Sequence, residues 1–176
     1  MTNYVYIATS LDGFIATENG GLDWLDDIPN PAQDDFGYAG FMSGIDAIVM
    51  GRNTFEKVLT FGDWPYDKPV FVLSNSLTEI PMSLYDEVEI VNGDLNELTE
   101  RLNGEGYMDL YIDGGRTIQS FLQEDLIDEM IITRVPVVLG GGIPLFGDIG
   151  YRLHFRHRET KVYNNYLVKS HYIRER

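Results

Sequence analysis

Cysteine is absent from this sequence, and its absence excludes several kinds of protein. None of the 176 residues can form a disulfide, act as a thiol nucleophile or bind a metal through sulfur. Long apolar runs are missing too, since no stretch approaches the roughly 20 residues of a membrane span. The N-terminus lacks the basic and apolar regions of a signal peptide. These absences predict a cytoplasmic protein with no membrane partner.

Positive charge is scarce. The chain has 13 Lys and Arg against 28 Asp and Glu, which gives a formal net charge of −15. Nucleic acids need a basic surface, so DNA and RNA are not expected as partners. Histidine is also rare: His154 and His157 lie in a strand-like tract among arginines, where exposed strand positions explain them and no metal site is predicted. The few cations that stand beside glycines are therefore informative.

The hydrophobic pattern predicts one α/β domain over residues 1–176. With 44% hydrophobic residues the chain can form a sizeable core. Short strands alternate with helices and are followed by longer strands, a pattern typical of a mostly parallel sheet with an antiparallel edge. The predicted strands are 3–10, 45–50, 70–74, 88–91, 110–112, 129–137, 153–161 and 165–172, with a hairpin turn at 162–164. The predicted helices are 34–42, 54–59, 94–103 and 117–124.

Two β-branched runs end in a glycine, an arginine and a helix-like segment. The first turn contains Gly51 and Arg52, and the second contains Gly114, Gly115 and Arg116. A glycine lets the backbone approach a ligand, a helix start offers unpaired N–H groups to phosphate, and arginine adds a fork of donors. For one such turn alone, plain turn geometry is the more common explanation. Two of them in one small domain indicate a dinucleotide site.

The order of the motifs resembles the dihydrofolate reductase superfamily. The segments that carry the resemblance are 8–16, 21–24, 50–56, 72–74, 112–116 and 136–146. The tail from Thr133 to Phe146 looks most like the branch that contains the C-terminal reductase domain of the bifunctional riboflavin enzyme and its stand-alone relatives. The resemblance implies a three-layer fold with a mostly parallel central sheet, an antiparallel C-terminal edge and helices on both faces.

The resemblance also implies NADPH as cofactor, bound across the carboxyl ends of the parallel strands. It places two residues at the nicotinamide end, four in the phosphate region with Arg52 near the 2′-phosphate, one on the adenosine side and four around the pyrophosphate. In that order they are Ala8 and Ile15; Gly51, Arg52, Asn53 and Thr54; Ser74; and Gly114, Gly115, Arg116 and Thr117. For Ser74, an ordinary turn is the alternative.

On the substrate side the resemblance implies a proton-donating carboxylate and a neighbouring threonine. Asp34 or Asp35 would supply the carboxylate and Thr133 the hydroxyl. The alternatives are a helix cap for either aspartate and a simple strand former for the threonine. Trp24 falls in the loop that covers the nicotinamide in relatives, and a core position is its alternative. The triple glycine 140–142 either admits a ligand to the backbone or forms a turn.

The implied activity is NADPH-dependent reduction of a small heterocyclic substrate, such as a pterin or a ribosylated aminopyrimidine. A 5-amino-6-(5-phosphoribosylamino)uracil reductase-like enzyme is the first expectation, and a dihydrofolate or pterin reductase is the second. Ile118 departs from folate-reducing relatives, which often have tyrosine there, and residues 55–59 depart from the riboflavin enzymes. A non-catalytic nucleotide- or pterin-binding module and a structural domain stay open.

Assembly into a homodimer is also expected. Relatives in the stand-alone branch are commonly dimers. The late strands contain Tyr163, Tyr166 and Tyr172, which we expect to be exposed and suited to a two-fold interface.

Overall fold

The computed structural model describes residues 1–176. Ten strands and four helices alternate along the chain, together with two short 3₁₀ turns, Asp23–Leu25 and Met82–Leu84. The strands are β1 Thr2–Thr9, β2 Phe14–Ala16, β3 Ala47–Gly51, β4 Val70–Leu73, β5 Val88–Val91, β6 Asp109–Asp113, β7 Glu129–Arg134, β8 Ile143–Pro144, β9 His154–Tyr163 and β10 Leu167–Glu175. The helices are α1 Tyr38–Met42, α2 Arg52–Leu59, α3 Leu95–Gly104 and α4 Gly115–Gln123.

Eight strands form the main sheet in the order β5-β4-β3-β6-β1-β7-β10-β9. The first six are parallel, and the final hairpin, β9 and β10, adds an antiparallel edge next to β7. β2 and β8 form a separate two-stranded sheet. The central strands are continuous apolar runs because helices cover both faces. This architecture confirms the predicted fold class.

A hydrophobic core lies on each face of the main sheet. On one face Leu102 of α3 and Phe121 of α4 pack with Ile112 of β6. On the other, Met42 of α1 and Phe55 of α2 pack against the central strands. Each helix turns its apolar side inward, so the parallel strands are held between two helical layers. Gly51 and Asp113, the last residues of β3 and β6, are half-buried.

Positive φ angles explain two of the differences between the predicted and the observed elements. Residues 34–37 are not helical; Gln33 and Phe36 have φ of 51° and 54°, which an α-helix does not allow. The final hairpin turns at 164–166 rather than at 162–164, where Asn164 and Asn165 have φ of 54° and 53°. Asparagine tolerates this left-handed conformation better than most residues, so the pair of asparagines fixes the turn.

None of the helices is both long and apolar enough to cross a bilayer, α3 being the longest with 10 residues.

Candidate functional site

The two glycine turns lie side by side at the carboxyl ends of neighbouring parallel strands. β3 and β6 pair directly, and Met50 is opposite Asp113. The next residues, Gly51 and Gly114, are therefore at the same level of the sheet. Each glycine faces the threonine of the other turn. A Cβ on Gly51 would lie 2.8 Å from Thr117 Oγ1, and a Cβ on Gly114, whose φ is +90°, would overlap Thr54 Oγ1. The two predicted turns therefore form one surface whose close packing requires glycine.

The first turns of α2 and α4 present backbone N–H groups that no capping side chain binds. Glycine occupies the N-cap position of both helices and has no side-chain acceptor. α3 differs, because the Asp94 carboxylate accepts hydrogen bonds from the Asn96 and Glu97 amides. Unpaired amides and the positive ends of two helix dipoles thus meet where β3 and β6 end. Such a surface suits a diphosphate.

Arg52 extends from the first turn of α2 to the loop after β4. Its Nε donates to Glu56 Oε1 at 2.6 Å, and its Nη1 donates to Ser76 Oγ at 3.0 Å. Ser74 shapes that loop, since its Oγ accepts from the Ser76 and Leu77 amides. The structure therefore supports the turn interpretation of Ser74, and its predicted contact with adenosine stays a prediction.

The other residues at the two helix starts differ in exposure. Asn53 and Arg116 are exposed, whereas Thr54 is half-buried and Thr117 is buried against the opposite glycine. The arginine and the asparagine can thus meet a ligand from the solvent side, while the threonines fix the spacing between the two turns. Their predicted cofactor contacts remain predictions.

Gly115 joins the second turn to the small sheet of β2 and β8. A Cβ on this buried glycine would lie 2.8 Å from Ile15 Cδ1 and 3.3 Å from Ile143 Cγ2. Ala8 is on β1, beside β6, and is opposite Thr133 of β7. Ile15 therefore lies against the start of α4, next to the predicted pyrophosphate turn.

Asp34 and Asp35 lie in the turn before α1 and bind its backbone. Asp35 is exposed, and its carboxylate accepts from the Gly37 and Ala39 amides, each at 2.8 Å. The Ala39 amide first and the Gly37 amide second lower the pKa of Asp35. Asp34 Oδ1 accepts a hydrogen bond from the Phe36 amide in the same turn, at 2.7 Å. The structure supports the capping interpretation for Asp35, because Ala39 lies in the first turn of α1, whereas Asp34 binds only the turn before the helix.

Thr133 is buried in the sheet, opposite Ala8 on one side and Lys169 of β10 on the other. Lys169 Nζ donates to the Phe36 carbonyl at 2.7 Å and lies 5.5 Å from the ring centroid of Tyr6. Lys169, which pairs with Thr133 in the sheet and had no predicted role, thus contacts the turn that contains the two aspartates. The structure does not bring the threonine into a hydrogen bond with either aspartate.

A carboxyl that sequence reasoning missed lies at the glycine surface itself. Asp113 is the last residue of β6, and its Oδ1 accepts from the Gly114 amide at 2.8 Å. Burial raises the pKa of Asp113, although the hydrogen bond from the Gly114 amide acts in the opposite direction. An acid with a raised pKa next to a ligand surface is a candidate proton donor. Its signal was a single carboxyl at the end of an apolar strand, directly before the second glycine turn.

Three tyrosines lie on the same side of the sheet as Asp113. Tyr38 of α1, Tyr66 of the loop before β4 and Tyr111 of β6 pack in one cluster. Burial and, second, the Asp113 charge raise the pKa of all three, that of Tyr38 to about 12. Tyr111 Oη donates to the Tyr6 carbonyl at 3.0 Å. The phenols stay protonated at neutral pH and give the carboxyl an aromatic, weakly polar surrounding.

Trp24 occupies the 3₁₀ turn Asp23–Leu25 and is only 6% exposed. It packs with Val135, Tyr163 and Leu167, so the core interpretation is the one that the structure supports. Its indole Nε1 is buried and has no hydrogen-bond partner. One unsatisfied donor therefore remains in the segment that the family resemblance places over the nicotinamide.

The triple-glycine segment is held by a carboxylate and by close backbone packing. Asp12 accepts from the Gly140 amide at 2.8 Å and from the Leu139 amide at 3.1 Å. A Cβ on Gly142, whose φ is +147°, would overlap the Ala16 carbonyl. Glycine is thus required for the approach of β8 to β2, which supports the turn interpretation.

The strand order and the paired glycine turns define a dihydrofolate reductase-like domain of the riboflavin-reductase type. A family model described as the RibD C-terminal domain matches residues 4–169. The chain belongs to this family. The superfamily and the branch predicted from the motifs are both confirmed.

Individual relatives agree with this assignment. A "Putative riboflavin biosynthesis protein" from Shewanella sp. PV-4, known as a crystal structure, is 52% identical with a TM-score of 0.97 over 100% of both chains. The uncharacterised protein YwjB of Bacillus subtilis (strain 168) is 42% identical over 175 residues, which are 97% of this chain and 96% of that protein. A deaminase/5-amino-6-(5-phosphoribosylamino)uracil reductase from Thermotoga maritima shares the fold at 14% identity and a TM-score of 0.75, over 98% of this chain and 56% of that one.

Proposed function

We propose that the chain is an NADPH-dependent reductase that transfers a hydride to a C=N or C=O bond of a small heterocycle. The main support is the surface where two uncapped helix starts meet over mutually packed glycines, because it offers two sets of amides to one diphosphate. Membership of the RibD C-terminal domain family supports a reductase of that type. The first candidate reaction is the one named for the Thermotoga maritima protein, reduction of 5-amino-6-(5-phosphoribosylamino)uracil.

In this mechanism the nicotinamide supplies the hydride when bound. The chain binds the cofactor, orients the substrate and donates a proton to it. Amides of the two glycine turns would hold the diphosphate, and Arg52 would bind the 2′-phosphate. Asp113 would hold a proton at its carboxyl, beside the Gly114 turn, and would give it to the reduced substrate. Tyr38 and Tyr66 would limit the access of water to that carboxyl and so help to raise its pKa. Asp113 thus takes the role first expected of Asp34 or Asp35.

NADPH binding and NADPH oxidation distinguish the proposed reductase from a binding module. A reductase consumes NADPH only when its substrate is present, whereas a nucleotide- or pterin-binding module binds without turnover. We expect loss of NADPH absorbance with 5-amino-6-(5-phosphoribosylamino)uracil as substrate. If the second candidate is correct, the loss should occur with dihydrofolate or a dihydropterin instead. Binding without turnover on all of these would favour the module, and no binding of NADPH would contradict the cofactor site.

Replacing Arg52 with Ala tests the predicted choice of cofactor. Charge-assisted hydrogen bonds to phosphate contribute about 1.5–3 kcal/mol, so the variant should lose at least tenfold in NADPH affinity. NADH has no 2′-phosphate, and its affinity should change little. Titrating both nucleotides into both proteins measures the effect. An unchanged ratio of the two affinities would remove Arg52 from this role.

We also propose a homodimer formed through the hairpin of β9 and β10, on a corrected set of residues. The prediction was wrong for Tyr163, which is buried, and Tyr166 and Tyr172 are only half-buried. Val162 and Val168 are opposite each other in the hairpin and are 55% and 40% exposed. This apolar pair suits a two-fold contact.

Light scattering at micromolar concentration should give twice the chain mass of 20.0 kDa. Val162→Glu should shift the mass toward the monomer, because two like charges would face each other across the two-fold axis. A monomeric wild-type protein would contradict the proposal.

A further inference from the structure

We propose that Glu56 is a specificity-determining residue that weakens the preference for NADPH over NADH. It does so by placing a carboxylate on the arginine that is assigned to the 2′-phosphate. This inference rests on the proposed cofactor site.

The contact is direct and joins consecutive turns of one helix. Glu56 Oε1 accepts from Arg52 Nε at 2.6 Å, and the two side chains are 46% and 44% exposed. The guanidinium also donates from Nη1 to Ser76 Oγ at 3.0 Å. Arginine has five N–H donors, so Nη2 and the second Nη1 hydrogen remain for a phosphate. Arg52 can therefore bind an anion while Glu56 stays in place.

The local charge determines how tightly Arg52 binds a phosphate group. Arg52 and Glu56 together carry a net charge near zero, so a 2′-phosphate gains the attraction of the guanidinium and also meets the repulsion of the carboxylate. The screening length at physiological ionic strength is about 8 Å, and groups that share one guanidinium lie within that distance. The 2′-hydroxyl of NADH is uncharged and avoids this repulsion. Glu56 thus reduces the affinity for one nucleotide only.

Glu56 also has a competing effect that raises NADPH affinity, and this effect is smaller than the repulsion. Glu56 helps to orient Arg52, and loss of that orientation would weaken phosphate binding. Exposed pairs four residues apart on a helix are weak, however, and glutamine retains an oxygen that can accept from Nε. Glu56→Gln therefore removes the charge and largely preserves the orientation.

The chain offers a matched control on α3. Arg101 Nη1 lies 3.6 Å from Glu105 Oε1, again four residues apart, so Glu105→Gln removes the same charge from a similar exposed pair. We expect Glu56→Gln to raise NADPH affinity about threefold to tenfold, while NADH affinity changes by less than about twofold. The fragments 2′,5′-ADP and 5′-AMP should follow the same pattern in calorimetry. The gain should shrink at about 1 M salt, and Glu105→Gln should leave both affinities unchanged.

The outcomes separate this inference from the proposed function. If wild type binds both nucleotides and Glu56→Gln leaves their affinity ratio unchanged, the inference is wrong and the cofactor site stands. An equal gain in Glu105→Gln would assign the effect to net charge and would also overturn the inference. If wild type binds neither nucleotide, the inference and the proposed function both fail.

Discussion

Asp113→Asn is expected to abolish most turnover and at the same time to stabilise the fold. Asparagine retains an Oδ1 that can accept from the Gly114 amide, so the turn should stay in place. It cannot donate a proton as a carboxylic acid does. Loss of a general acid typically lowers the rate about 10²-fold to 10⁴-fold. Turnover under saturating NADPH measures this effect.

The stability change has a sign that follows from the raised pKa. A group whose folded pKa is raised contributes its stability below its unfolded pKa, about 3.9 for Asp, and loses it as pH rises through the folded value. Above its folded pKa the wild-type carboxyl therefore carries a partly buried charge that the variant lacks. We expect a stability gain on the order of 1 kcal/mol, or about 2–4 °C in Tm. The gain should vanish near pH 3 in melting curves.

Two further variants make this prediction specific. Asp86→Asn removes an equal charge from an exposed loop and should change neither turnover nor the melting temperature appreciably. Asp35→Asn tests the proton donor that the family resemblance first implied. If Asp35→Asn abolishes turnover and Asp113→Asn does not, the assignment of the proton to Asp113 is wrong.

Local patterns were sufficient to predict most of the sheet. β5 was predicted at 88–91 and is observed at Val88–Val91, because buried parallel strands are short apolar runs with clear ends. The residues before α1 show where this reasoning fails. Phe36 has a positive φ, and its carbonyl accepts from Tyr6 Oη at 3.1 Å and from Lys169 Nζ at 2.7 Å. Contacts with residues 30 and 133 positions away shape this turn, and no local pattern encodes them.

The candidate site divides in the same way. The two glycine turns could be found because each combines a strand end, a glycine and a helix start within a few residues. Asp113 lies within one of these motifs, yet burial raises its pKa, and that burial arises beside Tyr38 and Tyr66 from distant segments. Conversely, Asp35 was expected to be a proton donor by position, but its carboxylate accepts from two backbone amides that lower its pKa, and its catalytic role stays a prediction. The surroundings of the two carboxyls, which only the fold supplies, give them pKa shifts of opposite direction.

Gly115→Ala should weaken NADPH binding far more than it lowers thermal stability. The added methyl group would approach Ile15 Cδ1 to 2.8 Å and Ile143 Cγ2 to 3.3 Å. The first is the end of a flexible side chain and can move aside, so we expect a cost of about 1 kcal/mol, or roughly 2–4 °C in Tm. The cofactor has less freedom, because the methyl group stands at the helix start proposed to bind diphosphate. NADPH affinity should fall at least about tenfold.

Ile15→Val separates packing from binding, because it removes the Cδ1 atom that the new methyl group would meet. The double variant Gly115→Ala, Ile15→Val should therefore recover most of the lost melting temperature. If its NADPH affinity stays low relative to Ile15→Val alone, the methyl group obstructs the cofactor itself. If affinity recovers as well, the effect passes through Ile15, which lies against the start of α4. A destabilised Gly115→Ala protein whose folded fraction binds NADPH as tightly as wild type would show that Gly115 serves packing alone, and the second glycine turn would lose its proposed role.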